Sequence, residues 1–226
     1  MNRLPLLALP GLLALTACDS ADSSFGTPEP TQLTVQTAAD VPADPIVSSG
    51  EGPPASTGRY TFYSLREDRI VLAYDAADRA DSASTAWDLA FNGTTVLVNG
   101  GTSGPGDGAA QVMENPFDDV AEAPEDGYTA DGANAACETN GLAICGGSGN
   151  GWYSYDPATH LISPQPGRTI ALRTADGRYA KVRILSYYQG NPATPGADAV
   201  SRHYTFEYVF QPDGTRGFTT TTATEG

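Results

Sequence analysis

Beyond residue 58 the chain is patterned with a period of two. Along His203–Gln211 the residues Tyr204, Phe206, Tyr208 and Phe210 fall on one side of an extended segment, while His203, Thr205, Glu207 and Val209 fall on the other. Short runs rich in aromatic and β-branched residues recur at 59–65, 69–74, 86–91, 94–99, 151–155, 169–174, 178–188, 203–211 and 218–222. Each is bounded by turn residues, which predicts strands. Arg66-Glu67-Asp68 separates the first two runs. Asn92-Gly93 and Asp176-Gly177 tolerate the positive φ angles of tight hairpin turns, and Asp213-Gly214 follows the 203–211 run. The aromatic side of that run predicts sheet core rather than a ligand platform. No strand alternates with a long amphipathic helix, so the pattern predicts an all-β, antiparallel, sheet-rich domain over residues 58–226.

Composition narrows the choice of function. The 226 residues hold 12 Lys+Arg against 27 Asp+Glu, a formal charge of −15, with 40% hydrophobic residues. That apolar content suffices for a core, and the acidic surface repels phosphate backbones, which excludes nucleic acid as a partner. The 25 glycines and 17 prolines oppose long helices. Only two histidines, His160 and His203, are present, so a His-rich metal cluster is excluded. Gly101-Thr102-Ser103-Gly104-Pro105 and Gly146-Gly147-Ser148-Gly149-Asn150 both lack the final glycine of a nucleophile elbow. The glycine-rich loop 100–108 lacks the Lys-Ser/Thr of a phosphate loop. No motif supports catalysis, and the expectation is that the protein is not an enzyme.

The first 17 residues carry one charge, Arg3, followed by an apolar run from Leu4 to Leu15. That run is too short to span about 30 Å of hydrocarbon and reads as a secretory signal peptide. Leu15-Thr16-Ala17 directly before Cys18 resembles the bacterial lipoprotein signal, which implies acylation of Cys18 and attachment to a membrane through lipid alone. The acidic run Asp19–Ser24 resembles the surface-export signal of Bacteroidetes-type lipoproteins, which implies an outer-membrane anchor and exposure at the cell surface. Residues 18–57 are rich in Pro, Thr, Ser, Ala, Asp and Gly and predict an extended, disordered tether, with folding beginning near Gly58.

With Cys18 assigned to lipid, Cys137 and Cys145 remain. Across a seven-residue intervening segment in an oxidising compartment they are expected to form a disulfide, worth about 2.5 kcal/mol on the chain-entropy model. Residues 114–138 hold eight acids and no base, which reads as a solvated irregular excursion or a cation site. The spacing does not match a calcium loop.

Several strings are more specific than composition. Thr57-Gly58-Arg59-Tyr60-Thr61-Phe62-Tyr63-Ser64-Leu65 opens the domain, followed by Ala86-Trp87-Asp88-Leu89-Ala90-Phe91-Asn92 and Val98-Asn99-Gly100-Gly101-Thr102-Ser103-Gly104. Gly151-Trp152-Tyr153-Ser154-Tyr155-Asp156-Pro157-Ala158-Thr159-His160, the run Asp176–Tyr188, and Tyr204–Gln211 come after them in order. Together, over residues 57–222, they resemble the HmuY family of bacterial haem-binding surface lipoproteins. The resemblance implies a hand-like all-β fold in which projecting loops clamp haem, or a related porphyrin, between axial side chains. It also implies transfer to a TonB-dependent outer-membrane receptor without catalysis. Haem iron accepts His, Met, Cys or Tyr ligands, and family members vary between histidine and methionine. The candidates in this sequence are His160, His203 and Met113. The alternative keeps the scaffold without haem, as a surface module contacting a protein or glycan through the acidic loop.

Overall fold

Alternation of apolar residues makes the second half of the chain a sheet, and pairing decides which shorter segments join it. The structure, a computed structural model, describes residues 32–46, 55–133, 135–137 and 140–219. The signal peptide, Cys18 and the acidic run behind it lie outside the described residues. The strands are β1 (Gln36–Pro42), β2 (Thr61–Ser64), β3 (Arg69–Leu72), β4 (Leu89–Asn92), β5 (Thr95–Val98), β6 (Ala109–Met113), β7 (Tyr153–Asp156), β8 (Leu161–Pro164), β9 (Thr169–Arg173), β10 (Tyr179–Tyr188) and β11 (Ser201–Gln211). They form a five-stranded sheet in the order β1-β11-β10-β9-β6, a four-stranded sheet β3-β2-β4-β5, and the separate hairpin β7-β8, with every strand pair antiparallel. The all-β antiparallel class expected from the pattern is the one observed.

The two larger sheets pack face to face. Tyr204, Phe206 and Tyr208 of β11, all fully buried, meet Tyr63, Leu89, Phe91, Val96 and Val98 from the smaller sheet in one core cluster. Ring centroids lie 4.7 Å apart for Phe91–Tyr204 and 5.3 Å apart for Tyr63–Phe206, distances at which aromatic pairs add about 0.5–1.5 kcal/mol each beyond their area. Two buried aspartates tie strand ends together. Asp88 accepts the N–H of Leu65 and of Ala175, at 2.8 and 3.0 Å, and so links the two sheets. Asp131 accepts the N–H of Val98 and of Ala143. Burial pushes both carboxyls above the usual range, against the pull of those hydrogen bonds.

Three expectations are corrected. Residues 18–57 are not tether throughout, because Gln36–Pro42 forms β1, the edge strand paired with β11. Its sequence QTAADVP has no run of large apolar residues. It is held by the β11 ladder, by Ala38 and Val41 on the core face, and by an irregularity between them at which Asp40 takes φ +53°. Of the run 218–222 the described residues are Phe218 and Thr219, neither in a strand, and the rest lies outside the described residues. The Phe218 side chain instead plugs an apolar cluster with Leu33, Phe117, Val120 and Val209 on the outer face of the larger sheet. Cys137 and Cys145 are two free thiols rather than a disulfide. The loop between them is closed by backbone hydrogen bonds, Cys137 N–H to Leu142 O and Gly141 N–H to Cys137 O, so closure does not require a crosslink. Burial and the adjacent Cys137 thiol push the Cys145 thiol up to about 11.

The acidic excursion is irregular with largely exposed acids, as the solvated reading expects, but it is anchored to the sheet. Its segment 114–126 crosses the outer face of the five-stranded sheet and is fastened there by bases. Lys181, the single lysine and 4% exposed, donates from Nζ to the carbonyls of Phe117 and Val120 at 2.8 and 2.9 Å. Arg183 pairs with Asp118, Arg168 with Glu114, and Arg216 with Glu122 and Glu125. Among the described residues no group of three His, Cys, Asp or Glu is placed to hold a metal ion.

Candidate functional site

The hairpin β7-β8 projects from the sandwich and is seated by aromatic packing. Trp152, just before β7, stacks near Tyr204 at 5.1 Å and Tyr153 at 4.9 Å, and its indole N–H donates to Thr94 O. The backbone N–H of Ile162 in β8 donates to the Tyr188 hydroxyl of β10 at 2.9 Å. These contacts fix the hairpin against the end of β10.

The turn of this hairpin carries His160. Asp156 accepts the N–H of Ala158 and the hydroxyl of Thr159, at 2.9 and 2.8 Å, and these bonds hold its carboxyl below the usual range. The chain then passes through His160 at φ +59° before entering β8. For a non-glycine residue that is an uncommon conformation, although histidine visits it more readily than most. Nδ1 of His160 lies 2.7 Å from the Tyr155 hydroxyl, leaving Nε2 as the nitrogen available to a ligand.

Opposite the hairpin, residues 189–200 connect β10 to β11. The N–H of Gly190 donates to Asp40 of the edge strand at 2.7 Å, and the N–H of Gln189 to Val200 O at 2.9 Å. Between hairpin and connection lies a groove of about 470 Å³, lined by His160, Leu161, Ile162, Tyr187, Tyr188, Ala199, Ser201 and Arg202 among others, with Ile46 at its edge. This volume is within the range of small-molecule and cofactor sites. A second recess of about 220 Å³ shares Ile162, Tyr187 and Tyr188 with it.

The groove wall is mixed, apolar at Ile46, Leu161, Ile162 and Ala199 and polar at Thr159, His160, Ser201 and Arg202. The described residues include four large hydrophobic side chains that are strongly exposed, Val35, Ile46, Tyr155 and Val200. Ile46 lines the groove, Val200 sits between the lining residues Ala199 and Ser201, and Tyr155 is bonded to His160. On the floor, burial pushes the Tyr187 hydroxyl up to about 12, only partly opposed by the positive charge of Arg202. The phenol is therefore neutral at ordinary pH.

Of the three ligand candidates read from the sequence, His160 alone lines this groove. His203 is half-buried in β11 opposite Pro42 of β1, with Nδ1 3.0 Å from Ser201 O. It takes the strand face away from Tyr204, as the alternation predicts. Met113 ends β6 and packs against the outer cluster of Phe117, Val209 and Phe218, so it fills space on the far face of the sheet. The structure does not bring the three together. Sequence reading missed Tyr187, Tyr188 and Arg202 as groove residues, since they sit at the ends of strands that read as scaffold. The irregular register there, where Ser186 pairs with Thr205 but Tyr188 with Ser201, has no signal in the sequence.

Sheets, hairpin and groove define an all-β sandwich with a histidine-bearing lateral cleft. The model of the HmuY protein family matches residues 56–208, and the chain belongs to that family. Among curated proteins none matches it. Similar solved structures include a Bacteroides fragilis protein described as a lipoprotein, 17% identical, covering 77% of this chain and 88% of its own, with a TM-score of 0.45. The apo HmuY analogue of Tannerella forsythia is 16% identical, covering 80% and 96%, with a TM-score of 0.44. A Bacteroides vulgatus protein described as HmuY-like and haem-binding is 18% identical, covering 77% and 90%, with a TM-score of 0.45.

Proposed function

We propose that this chain is a lipid-anchored surface protein that binds haem, or a related porphyrin, in the groove between the β7-β8 hairpin and the 189–200 connection. It then passes the ligand to a TonB-dependent outer-membrane receptor without catalysis. The observation that carries the reading is the placement of His160. An imidazole held on a left-handed turn, with Nδ1 occupied by Tyr155, lines a cleft of about 470 Å³ whose wall includes Leu161, Ile162, Tyr187 and Tyr188. A flat apolar macrocycle with a central metal matches that combination of wall and donor. Family membership and the description of the Bacteroides vulgatus protein support it. In this reading His160 supplies an axial ligand to the iron, and Ile162, Tyr187 and Tyr188 form the wall against the ring. Bound haem would supply a redox-active iron, and the residues' part is to bind, orient and partly shield it.

The proposed address is the outer membrane through acylated Cys18, with the cell surface as the final location. Titration of the full chain with oxidised and reduced haem, followed at the Soret band, tests the binding. A one-to-one transition that His160→Ala abolishes is the expected outcome. A featureless, salt-sensitive titration would remove haem from the reading and leave the scaffold to the protein- or glycan-contact alternative. Pull-down of the haem-loaded protein with outer-membrane receptors tests the transfer step.

A further inference from the structure

We propose that Arg202 sets the ligand specificity of the groove by taking a free carboxylate of the bound molecule, so that a porphyrin acid is selected over the same ring with its carboxylates esterified. This rests on the reading of the groove as a porphyrin site, and it concerns a different part of the ligand from the iron.

The first observation is one of charge. With 27 acids to 12 bases, an arginine in this chain has no shortage of carboxylates, and six of them form ion pairs. Among the described residues Arg202 has no such partner. Its Nη1 donates to the backbone carbonyl of Asp44 at 2.9 Å, and its charge is felt by the neighbouring Tyr187 hydroxyl. Both groups are neutral, so neither cancels that charge. The nearby Asp44 carboxylate is occupied by Thr57, Gly58 and Asn92.

The second observation is backbone geometry. Arg202 takes φ +64°, where a non-glycine residue is strained, at the irregularity between the Ser186–Thr205 and Tyr188–Ser201 pairs. Such irregularities re-aim a side chain next to a site. Here the re-aimed residue is the one arginine lining the groove that also holds His160. A guanidinium has five N–H donors in a planar fork suited to carboxylate, and the one bond named leaves donors over.

The third is the field of the whole molecule. A chain of net charge −15 repels an anionic ligand, so binding a dicarboxylate in the groove requires a local cation. Arg202 is that cation.

The test is fluorescence titration of the full chain with free-base protoporphyrin IX and with its dimethyl ester, in the same dilute detergent, which removes iron ligation from the comparison. The unmutated protein is expected to bind the acid at least tenfold more tightly than the ester. Arg202→Gln is expected to weaken the acid alone, bringing the two together, and Arg202→Lys to keep part of the preference. Equal binding of acid and ester by the unmutated protein overturns the proposal and needs no variant to fold. So does an equal loss of both ligands in Arg202→Gln, which is what a merely structural role would give. Should His160-dependent haem binding persist without any acid–ester preference, only the role of Arg202 falls. If neither porphyrin nor haem binds, the groove reading falls with it.

Discussion

The phenolic oxygen of Tyr155 lies 2.7 Å from Nδ1 of His160 across the β7-β8 turn. A tyrosine hydroxyl can donate to Nδ1 or accept from it. An imidazole that ligates a metal through Nε2 carries its proton on Nδ1, and that N–H needs an acceptor. Tyr155 can take that part, and because it is 41% exposed its own hydroxyl hydrogen can turn to water.

Replacing Tyr155 by Phe keeps the ring and removes the partner. Haem affinity is expected to fall about 10-fold, the low end for losing a group that supports a metal ligand, with the thermal midpoint unchanged. Soret titration and a melting curve on the same preparation check it. Unaltered affinity would show that the hydroxyl contributes nothing to ligation.

His160 itself occupies backbone geometry that costs a non-glycine residue about 1–2 kcal/mol. His160→Gly is therefore expected to leave the protein as stable as before, or more stable by up to about 1 kcal/mol, while the Soret response disappears. Urea denaturation read beside haem titration separates the two effects. A marked loss of stability would mean that the imidazole is mainly a packing element.

Asp44 is buried, and burial opposes its ionisation. The hydrogen bonds from Thr57, Gly58 and Asn92 outweigh that effect and leave its carboxyl below the ordinary value of 3.8. A folded-state value lower than the unfolded one means that the unfolded chain binds more protons between the two values. The resulting stability is present above 3.8 and is lost as pH falls through the folded value. Asp44→Asn should accordingly cost most at neutral pH, with the difference from the unmutated protein narrowing below pH 3.8. Urea midpoints at pH 7 and pH 3 measure it. A difference that does not change with pH would assign the cost to geometry rather than to charge.

Cutting the chain at Gly58, where the Pro- and Thr-rich segment ends, removes β1. Leu33 and Val41, 4% and 2% exposed, go with it. At about 1.5–3 kcal/mol for each large apolar side chain, their loss removes about 3–6 kcal/mol as an upper figure, a large share of a typical domain's stability. It also uncovers the full edge of β11. The truncated protein is expected to unfold at markedly lower urea and to self-associate. Size-exclusion chromatography and urea melts against a chain that starts at Thr31 check it.

The sequence by itself determined the class of fold. Period-two alternation in 203–211 placed Tyr204, Phe206 and Tyr208 in the core and His203 on the other face, and the order of strings from Thr57 to Gln211 carried the family. It also marked His160 as a residue to examine. What it left open depends on partners far away in the chain. The segment QTAADVP becomes a strand only because β11 offers an unpaired edge, and Met113 is removed from consideration because the outer face of β6 is covered by Phe117 and Phe218. The acids at 114–126 are solvent-facing as read, but only the fold shows that Lys181 takes the Phe117 and Val120 carbonyls beside them and that Arg168, Arg183 and Arg216 pair with four of them. The groove is likewise tertiary. It exists where a hairpin from the 150s and a connection from the 190s face each other, and Arg202 lines it at a point where the ladder slips by two residues. Local patterning encodes which face of a strand is apolar. Register slips, edge pairing and charges meeting across more than fifty residues are settled only when the chain closes on itself.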